Sequence, residues 1–475
     1  MRIPMSTRSP TEPQYDTIIV GAGPAGMTLA TYLPGRILVL EQNADVGGCH
    51  YVDRGTDGLF SEHGPRVYSG AYINTKAVLK TIGVHWDDVF VKHAWSPDVI
   101  DSKSWYSHMT LRESALLSVA FATYIARPDR FKAVSVDAWA TSKNFSSSAR
   151  AYMNQVCLFS DGAGSDRYSM FEFMSGFNEH MLYPFYEPKH AHDKVLWPRW
   201  KAYLTHKGVE IKTNTCVRAL DASGTVITID TGERLTAPRI IFAIPPKPLA
   251  SILKKSKLVE PGFEAFATQT KYNEYWSVAC HFDRKPSLGR GVQSTPWGLM
   301  YVNMPFGSAS ESYFVVSVAA TRFDVPSPTT HKTLKETTND AEATNEIVRQ
   351  LMEVIDGPPP VHTSTPNPKF GDHDAFVAAA GTGFFGPRLT CCQFPVYTVG
   401  THNGESNYHF TSFESAVQNA LVFAGVRRQP SAWKVTDVAF LVVAMIVILV
   451  AWHHTRHTHK SRAASRRHIK YMSRK

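Results

Sequence analysis

DTIIVGAGPAGMTLATYLPGRILVLEQNADVGG, residues 16–48, writes a strand, a glycine turn, a helix and a second strand in one line. Thr17 to Val20 is a short apolar, β-branched run of the kind that forms a buried parallel strand. It leads straight into Gly21-Ala22-Gly23-Pro24-Ala25-Gly26, a G-x-G-x-x-G turn. Pro24, with its φ already near the helical value, suits the first turn of the helix that follows. Ile37 to Leu40 supplies a second buried strand, ending at Glu41, twenty residues beyond Gly21, with Gln42 next.

Each part has a physical task. Gly21 permits the tight turn, Gly23 lets backbone approach a pyrophosphate, and Gly26 lets helix and strand pack closely. Free N–H groups and the dipole at the start of the helix that Pro24 and Ala25 open favour phosphate charge; Pro24 itself has no N–H to donate. Glu41 is placed to accept hydrogen bonds from ribose hydroxyls. Taken alone the glycines read as an ordinary turn; strand, turn, helix, strand and acid together specify a dinucleotide site.

The 475 residues allow a large core and two joined domains. The net charge of +9 is concentrated at the end of the chain: residues 453–475 hold eight Lys/Arg and no acid, leaving +1 for the rest. The body therefore has no basic face for nucleic acid. Six cysteines form no C-x-x-C pair and no disulfide framework, which fits a reducing compartment. Met1 to Gln14 lacks an apolar core and reads as a loose leader rather than a signal peptide.

After Glu41 come Gly47-Gly48 and then Phe60-Ser61-Glu62-His63-Gly64-Pro65-Arg66-Val67. The GAGPAG turn, the acid, the GG pair and this GPR segment resemble flavoproteins of the amine oxidase, protoporphyrinogen oxidase and phytoene desaturase superfamily. The resemblance implies FAD, with Gly64, Pro65 and Arg66 beside the flavin ring, Gly47 and Gly48 after the adenosine-binding strand, and Val217 meeting the adenine through its backbone. For Val217 an ordinary sheet valine is an equal reading. His63 reads as a hydrogen-bonded loop histidine or a catalytic base, and Arg66 as a pyrophosphate neighbour or half of a surface ion pair. Cys49 reads as structural, and Asn74 to Ile82 as a short helix.

Leu111 to Ala126 reads as a helix. The Met, Phe and Tyr residues between Met170 and Tyr186 form either a helical core or an apolar substrate wall. His190 and His192 make an H-x-H pair with no second ligand cluster, so no metal site is expected. Strand patterns return from Lys207 to Pro246 as a meander that feeds Arg239 to Ile244 back into a parallel sheet. Tyr275 to Phe282 and Val315 to Ala320 read as strands and Lys332 to Ile355 as helical beyond its Thr-rich start. Gly381 to Gly386 matches G-x-G-x-x-G in form only, because Pro387 follows and no amphipathic helix opens. Without a second fingerprint, the electron acceptor is oxygen or a small molecule.

In Val396 to Gly425 a strand ends at Gly400-Thr401, and a helix opens at Ser412-Phe413-Glu414. The superfamily completes its FAD site with such a strand, glycine and helix, which assigns Gly400, Thr401 and Phe413 to the cofactor. Its usual acid after the glycine is Thr401 here, and Tyr408, His409 and Phe410 replace small residues. Tyr408 reads as an aromatic wall over the flavin or as a buried loop tyrosine. No cysteine stands where monoamine oxidases attach flavin, so FAD is expected to be non-covalent. The lysine of many amine oxidases has no match at Trp276-Ser277-Val278.

Val438 to Trp452 is apolar throughout, and the twenty residues from Trp433 to Trp452 reach ~30 Å as a helix, one hydrocarbon thickness. Trp433 and Trp452 suit the two interfaces. A buried core helix is the competing reading, opposed by the basic tail. Positive-inside asymmetry would keep that tail in the cytosol. The missing signal peptide instead keeps the catalytic body there.

The sequence thus describes an α/β protein: a Rossmann-type FAD-binding domain with a parallel sheet, interleaved with a mixed α+β substrate domain, plus a C-terminal transmembrane helix. Residues 15–90, 205–250 and 395–427 form the FAD-binding domain and 91–204 and 251–394 the substrate domain. Residues 1–14 are the leader, 433–452 the anchor and 453–475 the tail. The expected function is an FAD-dependent oxidase or desaturase acting on an apolar or amine-bearing small molecule. Alternatives are a non-redox flavoenzyme like UDP-galactopyranose mutase, or an anchored flavoprotein fold without activity.

Overall fold

The computed structural model describes residues 13–62, 64, 66–92, 108–161, 164–272, 276–288, 295–308, 312–365, 376–377, 384–404, 406, 412–430, 432–441 and 445–446. Thr17–Val20 and Ile37–Leu40 are strands and Pro24–Tyr32 a helix, within the expected bounds. They stand at the centre of a six-stranded sheet ordered Arg388–Leu389, Val396–Thr398, Ile240–Phe242, Thr17–Val20, Ile37–Leu40, Glu210–Lys212. Every pairing is parallel except at the Arg388–Leu389 edge.

Both faces of this sheet are covered, which is why its strands are apolar without alternation. Ile19, Val39 and Ile241 face a core shared with Met27, Leu29, Trp197, Trp200 and Val417. Ile18, Val20, Leu38, Leu40 and Phe242 face the opposite way, onto Val217, Ile227, Leu249 and Phe263.

The expected meander divides. Glu210–Lys212 joins the main sheet as a parallel edge, and Val217–Leu220, Val226–Ile229 and Arg234–Thr236 form a separate antiparallel sheet. Alternation does not separate these roles, because both are short strands next to turns. Gln14 exchanges hydrogen bonds with Thr236, so the end of the expected leader is fastened to this sheet.

A four-stranded antiparallel sheet, ordered Leu299–Ser308, Tyr313–Ala320, Trp276–Phe282, His362–Ser364, forms a second body. One face buries Trp276, Val278 and Phe282 with the helix Asp340–Met352; the other packs Ala279 and Val315 on Val52 and Phe60. That helix begins beyond the Thr-rich start, as expected, and ends at Met352 rather than Ile355. Thr333 and Glu336 close a turn on each other, and Asn339 then caps the helix through Ala341 and Glu342 N–H groups.

Helices cover the region between residues 108 and 206. Leu111–Ala126 opens with a Thr110–Glu113 capping box. Met170, Phe171, Phe173 and Met174 are buried helical core, whereas Met181 is exposed and Phe185 and Tyr186 lie half-buried on the strand Phe185–Pro188.

At the C-terminal end, residues 435–441 are helical. Lys434 Nζ pairs with the buried carboxylate of Glu179 at 3.1 Å, and the Thr436 N–H donates to Asn178. Most of Val438–Trp452 and all of 453–475 lie outside the described residues, and among the described residues no helix is long and apolar enough to cross a membrane.

Candidate cofactor and active site

The glycine turn is built by backbone contact. Gly21 donates to the Leu40 carbonyl at 2.7 Å, at φ +102°, and a Cβ on it would lie 2.5 Å from the Ala243 carbonyl oxygen. At Gly26 a Cβ would collide with the Gly21 carbonyl oxygen. A second loop closes over the first: Gly47 N–H donates to Ala22 O at 2.9 Å, and a Cβ on Gly48 would sit 2.9 Å from Gly23 Cα. No side chain caps the helix that starts at Pro24 and Ala25. Its N-terminal dipole therefore faces a cradle of backbone alone.

Glu41 is almost fully buried at the tip of the second strand. One carboxylate oxygen accepts from Ala22 N–H at 2.8 Å and the other from Asn43 N–H at 2.9 Å. Burial pushes its pKa up, and the N–H groups of Asn43, Ala22 and Gln42 oppose the shift. The expected ribose acceptor thus also ties the glycine turn to its own loop; each carboxylate oxygen retains acceptor capacity. Asn214 and Thr215 N–H groups donate to Asn43 and Glu41 carbonyls, which brings the start of the Val217 strand to the same edge. Val217 itself is buried.

Arg66 donates to the Cys49 carbonyl, beside the Gly47–Gly48 turn. Behind that turn lies a cluster that the sequence reading missed. The Tyr68 hydroxyl is 3.0 Å from His50 Nδ1 and 2.6 Å from His192 Nε2. Burial, then the Arg66 charge, lowers the His192 pKa to about 3. Burial raises the Glu62 carboxyl to about 7, with Arg66 pulling the other way. His190 is exposed while His192 is buried, in the bend and turn that follow the strand Phe185–Pro188. No group of metal-ligating side chains occurs among the described residues.

The C-terminal contribution arrives on Val396–Thr398 and the helix Phe413–Phe423. Gly400 N–H donates to Asn403 Oδ1 at 2.7 Å, and Asn419 Nδ2 donates to Gly400 O at 2.7 Å. Thr398 Oγ1 lies 2.7 Å from His402 Nε2, whose pKa burial lowers to about 4. Thr401 sits half-buried in this turn. Phe413 places its ring 5.1 Å from His50 and stacks on Trp197 at 6.4 Å, so the helix start meets the Gly48–His50 turn. His63, Pro65 and Tyr408 lie outside the described residues; Gly64 is buried next to Glu62.

A sequence profile of flavin containing amine oxidoreductases matches residues 24–411. The chain belongs to that family. It is a flavin-dependent oxidoreductase of the amine oxidase type, and the backbone cradle, the uncapped helix start and Glu41 fit an FAD diphosphate and ribose.

This flavoprotein also shares its fold with solved structures. Putrescine oxidase bound to putrescine is 16% identical, with a TM-score of 0.64 over 86% of this chain and 98% of that one. An oxidoreductase from Methanosarcina mazei is 15% identical, with a TM-score of 0.60 over 86% and 99%. Cyclohexylamine oxidase from Brevibacterium oxydans is 14% identical, with a TM-score of 0.56 over 87% and 98%. No curated protein sequence matches.

Proposed function

We propose that this flavoprotein is a membrane-anchored oxidase or desaturase that removes a hydride from an apolar or amine-bearing small molecule. The observation that carries the reading is the double backbone contact, Gly26 on Gly21 and Gly48 on Gly23, at an uncapped helix start with Glu41 one strand away. FAD, when bound, would supply the hydride acceptor at N5 and the route for electrons to oxygen or a small acceptor.

The chain supplies binding and exclusion of water. Gly21, Gly23, Pro24, Ala25 and Gly26 hold the diphosphate, Glu41 and Gln42 the ribose edge, and Val217 the adenine. Gly47, Gly48, Gly64, Pro65, Arg66, Gly400, Thr401 and Phe413 surround the remainder. FAD is non-covalent in this reading. The FAD-binding domain comprises 15–90, 205–250 and 395–427, and the substrate domain the intervening parts. The Trp433–Trp452 stretch is the anchor and the body faces the cytosol. Exposed Trp433, Phe440, Leu441, Met445 and Ile446 support it: large apolar side chains need a covering medium.

The full chain is purified in detergent and its visible spectrum recorded before and after acid precipitation. Yellow absorbance in the supernatant supports non-covalent FAD; colour in the pellet overturns it. Anaerobic bleaching by an apolar amine, with oxygen consumption on re-aeration, supports the oxidase. Absence of bleaching with amines and with unsaturable apolar substrates overturns it.

A further inference from the structure

A groove of about 430 Å³ lies away from the cofactor cradle, between the helices Ile73–Thr81 and Phe413–Phe423 and the segment that leaves the second helix. Ala77, Val78, Leu421 and Val426 give it an apolar floor, and Lys80 and Arg427 are the charged residues of its lining. No Asp or Glu lines it. Two like charges brought to one concave, partly apolar surface repel each other, and an anion between them relieves that repulsion. Tyr32 and Thr81 add hydroxyls, 3.0 Å apart, at the same wall.

The position of the groove narrows the kind of anion. Gln429 N–H donates to Asn74 Oδ1 at 2.8 Å, which fixes the exit segment against the groove wall. Lys434 is then held by Glu179 and Thr436 by Asn178, so the chain is tied on both sides of Trp433. Four residue steps separate Gln429 from Trp433, at most ~14 Å of extended chain. A Trp at the membrane interface therefore places the groove at headgroup depth.

We propose that this groove binds the phosphate of an anionic phospholipid, with Lys80 and Arg427 as its charge partners and the apolar floor against the glycerol and first acyl carbons. The assignment rests on the membrane-anchored reading given above. Bound lipid would fix the orientation of the catalytic body on the bilayer, because the groove and the exit segment share one rigid wall.

Dioctanoyl phosphatidic acid is titrated calorimetrically into the full FAD-loaded chain in nonionic detergent, with inorganic phosphate in a parallel titration. Saturable lipid binding, weakened about fivefold in Lys80→Gln or Arg427→Gln and about 30-fold in the double variant, supports the proposal. An unchanged flavin spectrum in each variant shows that the fold is intact. No saturable binding, or equal binding by the double variant, overturns it. Equal affinity for inorganic phosphate overturns the lipid assignment. Co-flotation with phosphatidylserine vesicles tests the anchor separately: lipid binding that Lys80 and Arg427 control, without flotation, upholds the groove and removes the anchor.

Discussion

Glu414 holds Thr75 twice: one carboxylate oxygen accepts the Thr75 N–H at 2.8 Å and its hydroxyl at 2.7 Å. The other oxygen takes the backbone and side-chain N–H groups of Asn74 and the amide of Gln418. A fully buried acid on one helix thereby satisfies the orphan donors at the start of another, and its charge meets the positive end of that helix. Glu414→Gln replaces one acceptor oxygen with an NH2 group and sets donor against donor. The expected cost is about 2–3 kcal/mol. Thermal or urea denaturation of the flavin-loaded protein reads it, with accelerated FAD loss on dilution because the same helix begins at Phe413.

The glycines of the turn separate into two classes. A Cβ at Gly26 has no room against the Gly21 carbonyl, so Gly26→Ala forces helix and strand apart and damages the fold. At Gly23 a Cβ meets Gly48 Cα at 3.5 Å, an ordinary contact. Gly23→Ala should fold with little change in melting temperature, yet retain at least tenfold less FAD. The ratio of flavin absorbance to protein absorbance, measured beside the melting curve, distinguishes the two.

Tyr68 joins two imidazoles directly behind the Gly48–His50 turn. Tyr68→Phe keeps the ring contacts with Phe90 and Phe413 but leaves His50 Nδ1 and His192 Nε2 without their shared partner. A loss of about 1–3 kcal/mol is expected. Urea titration at neutral pH checks it; a variant as stable as the wild type would show that the bridge is neutral.

The half of the site written in local sequence was legible. Gly21 to Glu41 sit within one βαβ unit, where turn chemistry and strand burial act on neighbours in the chain. The other half depends on distant pairs. Nothing near Tyr68 announces His192, nothing near Asn74 announces Glu414, and the Asn403–Asn419 support of Gly400 spans a helix. Single polar residues of this kind carry no period, and their value comes only from the low-dielectric place to which the fold brings them. The substrate sheet was legible as strands, but not its packing of Ala279 and Val315 against Val52 and Phe60.

Four buried histidines and the buried Glu62 carboxyl make stability depend on pH, and Glu41, also raised by burial, acts in the same sense as Glu62. Burial lowers His180 and His192 to about 3 and His281 and His402 to about 4, from 6.5. Each stays neutral in the fold while its unfolded counterpart takes up a proton, so stability falls as pH drops below 6.5. Glu62 acts with the opposite sign. Its carboxyl is raised from 4.5 to about 7, so the folded state holds a proton that the unfolded chain has lost. Its penalty is absent below the unfolded value, grows between 4.5 and 7, and amounts to up to about 3 kcal/mol at higher pH. Between pH 5 and 6.5 the histidines outnumber both carboxyls, and unfolding free energy should rise with pH, at about 1.4 kcal/mol per unit for each net proton. Glu62→Gln removes one of the opposing protons. The variant should show a steeper acid limb than the wild type, and at pH 8 it should be the more stable of the two. Parallel slopes in urea titrations from pH 5 to 8 would place Glu62 in contact with water and ionised throughout.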